Sequence, residues 1–217
     1  MSRKELIINI LTSISLTLLI LITAIQLTLN FRPLYYFDID YLRITEEANM
    51  NKREIIKNYD VLIDYLNPLY KGNLQFPTLT MSQQGEKHFI EVKKIFTHLF
   101  YIQLVSVIIT FVGILYLNKK KDYTFYRLTS RLLLGIPILL FFLIFIDFNK
   151  IFSLFHRIMF RNEYWMLYPD KDPIINLLPE RFFMHSTLLI LIIMFISSLI
   201  LNRIYRYQIK KYVERKK

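Results

Sequence analysis

The chain contains no cysteine and only four glycines among its 217 residues. Without cysteine it can form neither disulfides nor an acyl-cysteine intermediate. With so few glycines it has no phosphate-binding loop and no dinucleotide-binding fingerprint. The sequence also lacks a Gly-x-Ser-x-Gly elbow and a His-Glu-x-x-His pair, which mark α/β-hydrolases and zinc proteases. These absences exclude ordinary nucleotide enzymes, serine hydrolases and zinc proteases.

Charged residues are also missing from long stretches. Residues 6–31, 95–118 and 182–202 form uncharged runs of 26, 24 and 21 residues, and residues 132–146 form a shorter run of 15. An apolar helix of roughly 20 residues crosses a bilayer core about 30 Å thick. The three longer runs therefore predict transmembrane helices. The fourth run also spans if the charged residues at its two ends extend towards the lipid headgroups.

The basic residues give these four spans an orientation. Residues 3–5, 119–131 and 203–217 together carry 14 Lys/Arg and 3 Asp/Glu, whereas residues 32–94 and 147–181 carry 14 of each. Because basic loops stay in the cytoplasm, both termini are predicted inside and the two longer segments outside. The net charge of +11 then reflects topology and attraction to anionic phospholipid rather than nucleic-acid binding.

The predicted fold class is an all-α membrane protein, in which four transmembrane helices carry a small, mostly helical extracytoplasmic cap. The predicted segments are an N-terminal transmembrane helix (1–31), a cap segment (32–94), a second transmembrane helix (95–118), a cytoplasmic loop (119–131), a third transmembrane helix (132–146), a second cap segment with an interfacial helix (147–181), a fourth transmembrane helix (182–202) and a basic cytoplasmic tail (203–217).

Local signals place helices in the first cap segment. Asn51 and Glu54 fit a helix N-cap and its partner three residues later, and apolar residues follow at helical spacing. Residues 74–81 are expected to be extended. A helix that starts at Ser82 or Gly85 is expected to run without a break into the second span.

The second cap segment contains an amphipathic pattern. Asn149 is a possible N-cap, and apolar residues recur on one helical face as far as Met159, which is typical of a helix lying flat in the headgroup layer. Asp172 and Pro173 fit the cap and first turn of a short helix over residues 174–178.

The four histidines, His88, His98, His156 and His185, all fall in the outer half of the four-span arrangement. His88 and His156 are expected at a similar depth, near the boundary between cap and membrane. An interfacial structural role is the simpler interpretation of a histidine there, above all for His98 and His185. A metal site formed with neighbouring acidic residues also remains open. An aromatic cluster around residues 152–168 fits either an interfacial belt or a pocket for acyl chains.

Four stretches of sequence carry a more specific pattern. They are Asn58-Tyr59-Asp60 with Leu66; Glu86-x-His88-x-x-Glu91-Val92-Lys93; Phe155-His156-Arg157-Ile158-Met159-Phe160; and Trp165, Pro169 and Asp172 followed by Leu178-Pro179-Glu180 and Phe182-Phe183. In these stretches the sequence resembles the lipoprotein intramolecular transacylase (Lit) family, and the resemblance covers nearly the whole chain, including its four spans, its two outer segments and its length. Glu91 stands where the family pattern has Asp, a change that keeps the charge.

The resemblance implies a bacterial plasma-membrane enzyme with its active site at the outer boundary of cap and membrane. Members of the family act on diacylglyceryl-modified lipoproteins and move the sn-2 acyl chain onto the α-amino group of the N-terminal cysteine, which gives a lyso-form lipoprotein. The family's two catalytic histidines match His88 and His156. Because the change from ester to amide is downhill, the resemblance implies no cofactor and no metal. Further substrate-binding candidates are Tyr59, Glu86, Lys93, Phe155, Arg157, Tyr164, Trp165 and Asp172.

Two alternatives remain at the level of the sequence. The first is a non-catalytic membrane protein whose cap binds a partner or assists assembly. The second is a metal-dependent lipid esterase that uses His88, His156 and an acidic residue and releases free fatty acid.

Overall fold

The computed structural model describes residues 2–214, apart from the side chains of residues 143–145. Within this range the chain is helical and contains no strand. The helices are α1 (Arg3–Asn30), α2 (Arg32–Tyr41), α3 (Ile44–Glu47), α4 (Lys52–Leu66), α5 (Gln83–Lys119), α6 (Thr124–Ile146), α7 (Phe148–Phe160), α8 (Ile174–Leu177) and α9 (Glu180–Glu214). The predicted all-α fold class is confirmed.

Four of these helices are long and apolar enough to cross a membrane, namely α1, α5, α9 and the Thr124–Phe142 part of α6. The four predicted spans therefore correspond to four helices. Helix α6 begins eight residues before the uncharged run at 132–146, and its 23 residues give a length of about 34 Å. Helix α9 continues through the basic tail to Glu214.

The chain divides into two compact units. The first unit consists of the described parts of Met1–Gln26, Tyr101–Phe142 and Leu189–Lys217. Its helices exchange hydroxyl hydrogen bonds: Ser130 Oγ donates to the Ser198 carbonyl at 2.9 Å, and Ser198 Oγ donates to the Ser130 carbonyl at 2.7 Å. Such small polar residues let transmembrane helices approach closely while their hydroxyls stay satisfied.

The second unit consists of Leu27–Phe100 and Leu143–Leu188 and contains all the candidate site residues. Its core is centred on Tyr35, whose ring stacks on Tyr59 with centroids 3.6 Å apart and meets the edge of Phe182 at 5.1 Å. The Tyr35 hydroxyl donates to the Leu177 carbonyl at 2.7 Å. This core joins α2, α4, α8 and the start of α9, because each of them contributes buried side chains to it.

The helix starts were predicted with mixed success. Asn51 is the N-cap of α4, and its side chain accepts from the Glu54 amide at 2.9 Å, as expected. The prediction that Asn149 is the N-cap of α7 is wrong. Helix α7 starts earlier, because Asp147 accepts from the Lys150 amide at 3.1 Å and so takes the capping position.

The predicted capping role of Asp172 is also wrong. Helix α8 is preceded by Pro173 with no side-chain cap, and Asp172 instead accepts from both the amide and the hydroxyl of Ser82, each at 2.7 Å. The Ser82 hydroxyl in turn accepts from the Gly85 amide at 3.0 Å, so that Ser82 caps the start of α5. Asp172 therefore ties the chain before α8 to the first turn of α5. Helix α5 itself runs without a break from Gln83 to Lys119, which confirms the continuous helix expected in this region.

Candidate active site

Helices α5 and α7 bring the two predicted catalytic histidines together. His88 lies in the second turn of α5, and its side chain is buried, with 7 % relative exposure. His156 lies on α7, and its ring centroid is 6.3 Å from that of His88. Phe160 contacts both rings, at 4.9 Å from His88 and 5.7 Å from His156. Two residues far apart in sequence thus form one pair of imidazoles.

The tautomer of His156 follows from its own helix. Its Nδ1 lies 2.7 Å from the carbonyl oxygen of Phe152, one turn earlier on α7. A carbonyl can only accept, so Nδ1 carries the hydrogen and Nε2 presents a lone pair. The group that orients this imidazole is therefore a backbone carbonyl of the same helix.

The surroundings of His156 keep its imidazole neutral. Burial lowers the pKa of His156, against the smaller opposing effect of the hydrogen bond to the Phe152 carbonyl. Burial lowers a histidine pKa because a low-dielectric environment disfavours the charged form. At neutral pH this side chain can therefore accept a proton.

His88 differs from His156 in its hydrogen bonding. Its Nδ1 is buried, and none of residues 2–214 supplies a hydrogen-bond partner for it. A buried polar nitrogen without a partner is costly. At a functional site it marks a position where a substrate donor or acceptor can bind.

Aromatic rings form the walls around His156. Phe152, Phe155 and Trp165 have ring centroids 4.2, 5.4 and 5.0 Å from its imidazole. Phe155 is 52 % exposed, so that the wall is open on one side. This apolar lining suits the acyl chain of a lipid better than a polar substrate.

Other predicted site residues lie at the surface around the pair. Glu86 is exposed near the start of α5, and Arg157 is exposed on α7, where it lines a shallow recess with Asn149 and Lys150. Tyr164 is 37 % exposed.

Lys93 is engaged with aromatic side chains. Its ammonium group donates to the Tyr70 carbonyl at 2.9 Å and lies over the rings of Tyr65 and Tyr70, 4.3 and 4.9 Å from their centroids. These contacts belong to a different cluster from the histidine pair, although Lys93 and His88 lie on the same helix.

Tyr59 and Asp172 are buried. Tyr59 is 2 % exposed and belongs to the core around Tyr35, and Asp172 is 1 % exposed and bound to Ser82. Both side chains contact the protein itself, and their contact with a substrate stays a prediction.

Two side chains that shape the site were not predicted. Asn162, just after α7, donates to both carboxylate oxygens of Glu91 at 3.0 and 3.1 Å. Gln84 donates to the carbonyls of Glu163 and Met166 at 3.2 and 2.9 Å. Side-chain hydrogen bonds between residues so distant along the chain leave no periodic or local signal in one sequence.

A metal-binding set is not found in the described part of the chain, where no three His, Asp or Glu side chains cluster closely enough to hold an ion. The hypothesis of a metal-dependent esterase therefore lacks a ligand set among these residues.

Comparison with known proteins gives consistent matches. The profile of the family described as "Lipoprotein intramolecular transacylase Lit" matches residues 10–183. A crystal structure of the membrane-integral lipoprotein intramolecular transacylase Lit from Bacillus cereus is 41 % identical, with a TM-score of 0.96 over 99 % of this chain and 100 % of that one. Two structures of that protein with a histidine replaced, one by arginine and one by alanine, each match at 41 % identity and a TM-score of 0.89.

The match to the arginine variant covers 98 % of this chain and 95 % of that one. The match to the alanine variant covers 97 % of this chain and 96 % of that one. No curated protein sequence gives a significant match.

Proposed function

Because the chain belongs to the lipoprotein intramolecular transacylase family and is therefore a membrane acyltransferase, we propose that it converts diacylglyceryl lipoproteins to the lyso form. In this reaction the sn-2 acyl chain moves to the α-amino group of the N-terminal cysteine of the same lipoprotein. The observation that carries the proposal is the pair of imidazoles, one buried and one half-buried, 6.3 Å apart inside an aromatic wall. Such a pair supplies acid–base catalysis next to a surface that accepts an acyl chain.

The reaction needs one proton to move between two groups of the substrate. The neutral α-amine attacks the sn-2 carbonyl carbon, and an imidazole takes its proton as the C–N bond forms. The bond between that carbon and the glyceryl oxygen then breaks, and an imidazole protonates the departing oxygen. The proton lost by the amine equals the proton gained by the new hydroxyl, so that two neutral imidazoles suffice and no water is consumed.

His156 and His88 are suited to this relay for different reasons. The Nε2 lone pair of His156 is available because its Nδ1 is bound to the Phe152 carbonyl. His88 presents a buried Nδ1 to which a substrate group can bind. Histidine acting near neutral pH contributes a factor of roughly 10² to 10⁴ to a rate. Holding amine and ester of one molecule together removes a further entropic barrier.

The aromatic wall also determines which nucleophile reacts. Phe152, Phe155 and Trp165 leave few polar groups beside His156 to which water can bind. A water-poor site disfavours hydrolysis of the ester relative to transfer. We assign Phe155 and Trp165 to the wall that contacts acyl chains, and the exposed Glu86, Arg157 and Tyr164 to contacts with the polar part of the lipoprotein or with phospholipid.

The proposed location is the outer face of the bacterial plasma membrane. Residues 32–94 and 147–181 form the proposed extracytoplasmic cap, and both termini are cytoplasmic. His88 precedes the uncharged run at 95–118 by about two turns, or about 10 Å of helix. That depth suits an ester bond between headgroup and acyl chain.

The activity is tested with the purified full-length protein and a synthetic diacylglyceryl lipopeptide. Intramolecular transfer leaves the intact mass of the peptide unchanged and moves one acyl chain to its N-terminus, which fragment spectra detect. Fragment spectra that still show a free amine and two ester-linked chains after long incubation refute the proposal. Release of free fatty acid supports the esterase alternative instead.

The roles of the two histidines are tested by replacing each of them. We expect His88→Ala and His156→Ala each to lower turnover by at least about 10². His98→Ala is the control, because His98 is exposed on the same helix as His88, and its turnover should stay within a few-fold of the parent. Near-normal transfer by a folded His156→Ala protein contradicts the two-histidine mechanism.

A further inference from the structure

The segment that follows α7 is organised around Asn162. Helix α7 ends at Phe160, and Arg161 adopts a left-handed conformation with φ of 53°, which turns the chain. The Asn162 Nδ2 group donates to the Phe160 carbonyl at 2.9 Å and to the two oxygens of the Glu91 carboxylate at 3.0 and 3.1 Å. Its Oδ1 accepts from the Tyr164 amide at 2.9 Å. Both the donors and the acceptor of this amide side chain are therefore used.

Asn162 links the surroundings of both histidines. Glu91 is three residues after His88 on α5, and residues at this spacing lie on the same helical face. The Asn162 backbone carbonyl accepts from Trp165 Nε1 at 2.9 Å, and the Trp165 ring packs against His156 at 5.0 Å. An unbroken series of contacts thus runs from α5 beside His88 to the wall beside His156.

A second attachment lies on the other side of His88. Gln84, four residues before His88, donates to the carbonyls of Glu163 and Met166. Residues 161–166 are therefore fastened to α5 at positions one turn before and one turn after the buried histidine. The Glu91 attachment is the charge-assisted one, and such hydrogen bonds are stronger than those between neutral groups.

We infer that the Glu91–Asn162 pair is a positioning element of the transacylation site, which holds Trp165 and the end of α7 so that His156 stays aligned with His88. The inference rests on the proposed function, because the alignment of His156 with His88 affects the rate only if both imidazoles act on one substrate. Groups that transfer protons must keep their geometry closely, and a misplacement of about 1 Å can cost about 10² in rate. Asn162 and Glu91 act here through their neighbours and not on the reacting atoms.

The test reverses the polarity of the hydrogen bond in the full-length protein. Asn162→Asp places two carboxylates against each other, and we expect at least about a tenfold loss of kcat with a smaller change in KM. The double variant Glu91→Gln with Asn162→Asp restores a donor and an acceptor in the opposite order, and we expect it to recover much of the lost kcat. Recovery is partial, because the carboxylate introduced at position 162 cannot donate to the Phe160 carbonyl.

The fluorescence of Trp165 gives an independent readout, because it is the only tryptophan of the chain. In Asn162→Asp we expect its emission to shift to longer wavelength and its quenching by acrylamide to increase. In the double variant both changes should reverse. Asp64→Asn is the matched control: it neutralises a carboxylate that is paired with Arg32, outside the histidine site, and should change neither the emission nor kcat.

Each outcome decides the question. Parent-like kcat and emission in a folded Asn162→Asp protein overturn the inference. Restored emission without restored kcat in the double variant overturns it as well, since Glu91 would then act in the chemistry itself.

If Asn162→Asp fails to give a monodisperse protein, the variant Glu91→Gln tests the inference. It keeps one acceptor oxygen and the shape of the side chain, so we expect a smaller loss of kcat and a smaller shift of the Trp165 emission. A parent-like kcat together with a parent-like emission overturns the inference. If the parent protein transfers no acyl chain, the proposed function fails, while the emission of Trp165 still reports whether the pair holds its segment.

Discussion

His88 and His156 form a pair whose members differ in one hydrogen bond. The Nδ1 of His156 is fixed by the Phe152 carbonyl, whereas the buried Nδ1 of His88 has no partner among residues 2–214. A neutral imidazole accepts a proton at one nitrogen and can return it to a second group. The two rings therefore suit a transfer in which the substrate's own proton is moved and none is taken from solution.

The pH dependence of turnover tests the neutral state of His156. The α-amine of the substrate has an ordinary pKa near 8, so the logarithm of kcat should rise with a slope of about one between roughly pH 6.5 and 7.5. Burial lowers the pKa of His156, so this side chain keeps its lone pair in that range and becomes protonated only in more acidic solution. We expect the slope to steepen towards two only at pH values below the ordinary histidine pKa of about 6.5. A change of slope centred at or above that value contradicts a depressed pKa.

His185 is paired with Asp38, a partner that the sequence did not reveal. Asp38 has no exposed surface, and its carboxylate oxygens lie 2.8 and 3.0 Å from Nδ1 of His185. Burial raises the pKa of Asp38, and the hydrogen bond from His185 opposes that effect. A structural role was expected for His185, and this hydrogen bond is consistent with it. In the described part of the chain, His185 is the only residue whose side chain hydrogen-bonds the Asp38 carboxylate.

We expect His185→Ala to destabilise the protein by about 1–3 kcal/mol, the cost of leaving the buried Asp38 carboxylate without its hydrogen-bond donor. His98→Ala is the matched control, because the His98 side chain is exposed. Turnover per folded molecule should stay within a few-fold of the parent in both variants. The measurement is the unfolding temperature in detergent, and equal values for the two variants refute a stabilising role for the Asp38–His185 pair.

At the scale of helices, sequence patterns located most elements. Each pattern depends only on the surroundings of one segment, whether lipid, water or the protein core, and not on a distant partner. Uncharged runs marked α1, α5 and α9, and apolar residues at helical spacing marked α4. Boundaries that depend on a distant partner could not be found in this way. Helix α6 begins within a charged segment, where its Arg127 lies over the ring of Tyr205 at 5.6 Å.

The close approach of α1 and α5 gives a prediction at this scale. A Cβ atom added at Gly113 of α5 would overlap Thr12 Oγ1 and lie 2.9 Å from its Cγ2, whereas one added at Gly135 of α6 would meet no atom within 4 Å. Small residues allow helices to pack closely in a membrane. We therefore expect Gly113→Ala to lower the unfolding temperature and Gly135→Ala to leave it unchanged or raise it, since alanine favours helix over glycine by about 1 kcal/mol. Equal stability of the two variants contradicts this packing.

At the scale of the whole molecule, the sequence was sufficient to pair His88 with His156 through the family resemblance and their similar expected depth. It could not supply the ties that hold the site. Glu91 and Asn162 are 71 residues apart, and Asp38 and His185 are 147 apart. A single sequence shows which residues can form hydrogen bonds but not which distant partner each one meets, and only the folded chain decides that.

The uneven distribution of charge predicts how the protein is oriented in the membrane. Residues 3–5, 119–131 and 203–217 hold 14 basic and 3 acidic residues, while residues 32–94 and 147–181 hold 14 of each. Because the chain has no cysteine of its own, single cysteines introduced as Gln83→Cys and Tyr123→Cys report each side separately. By the positive-inside rule, an impermeant thiol reagent added to intact cells should label the first variant, and the second only after the membrane is opened. Labelling of Tyr123→Cys but not of Gln83→Cys in intact cells would invert the orientation and place His88 and His156 on the cytoplasmic side, away from an extracytoplasmic lipoprotein.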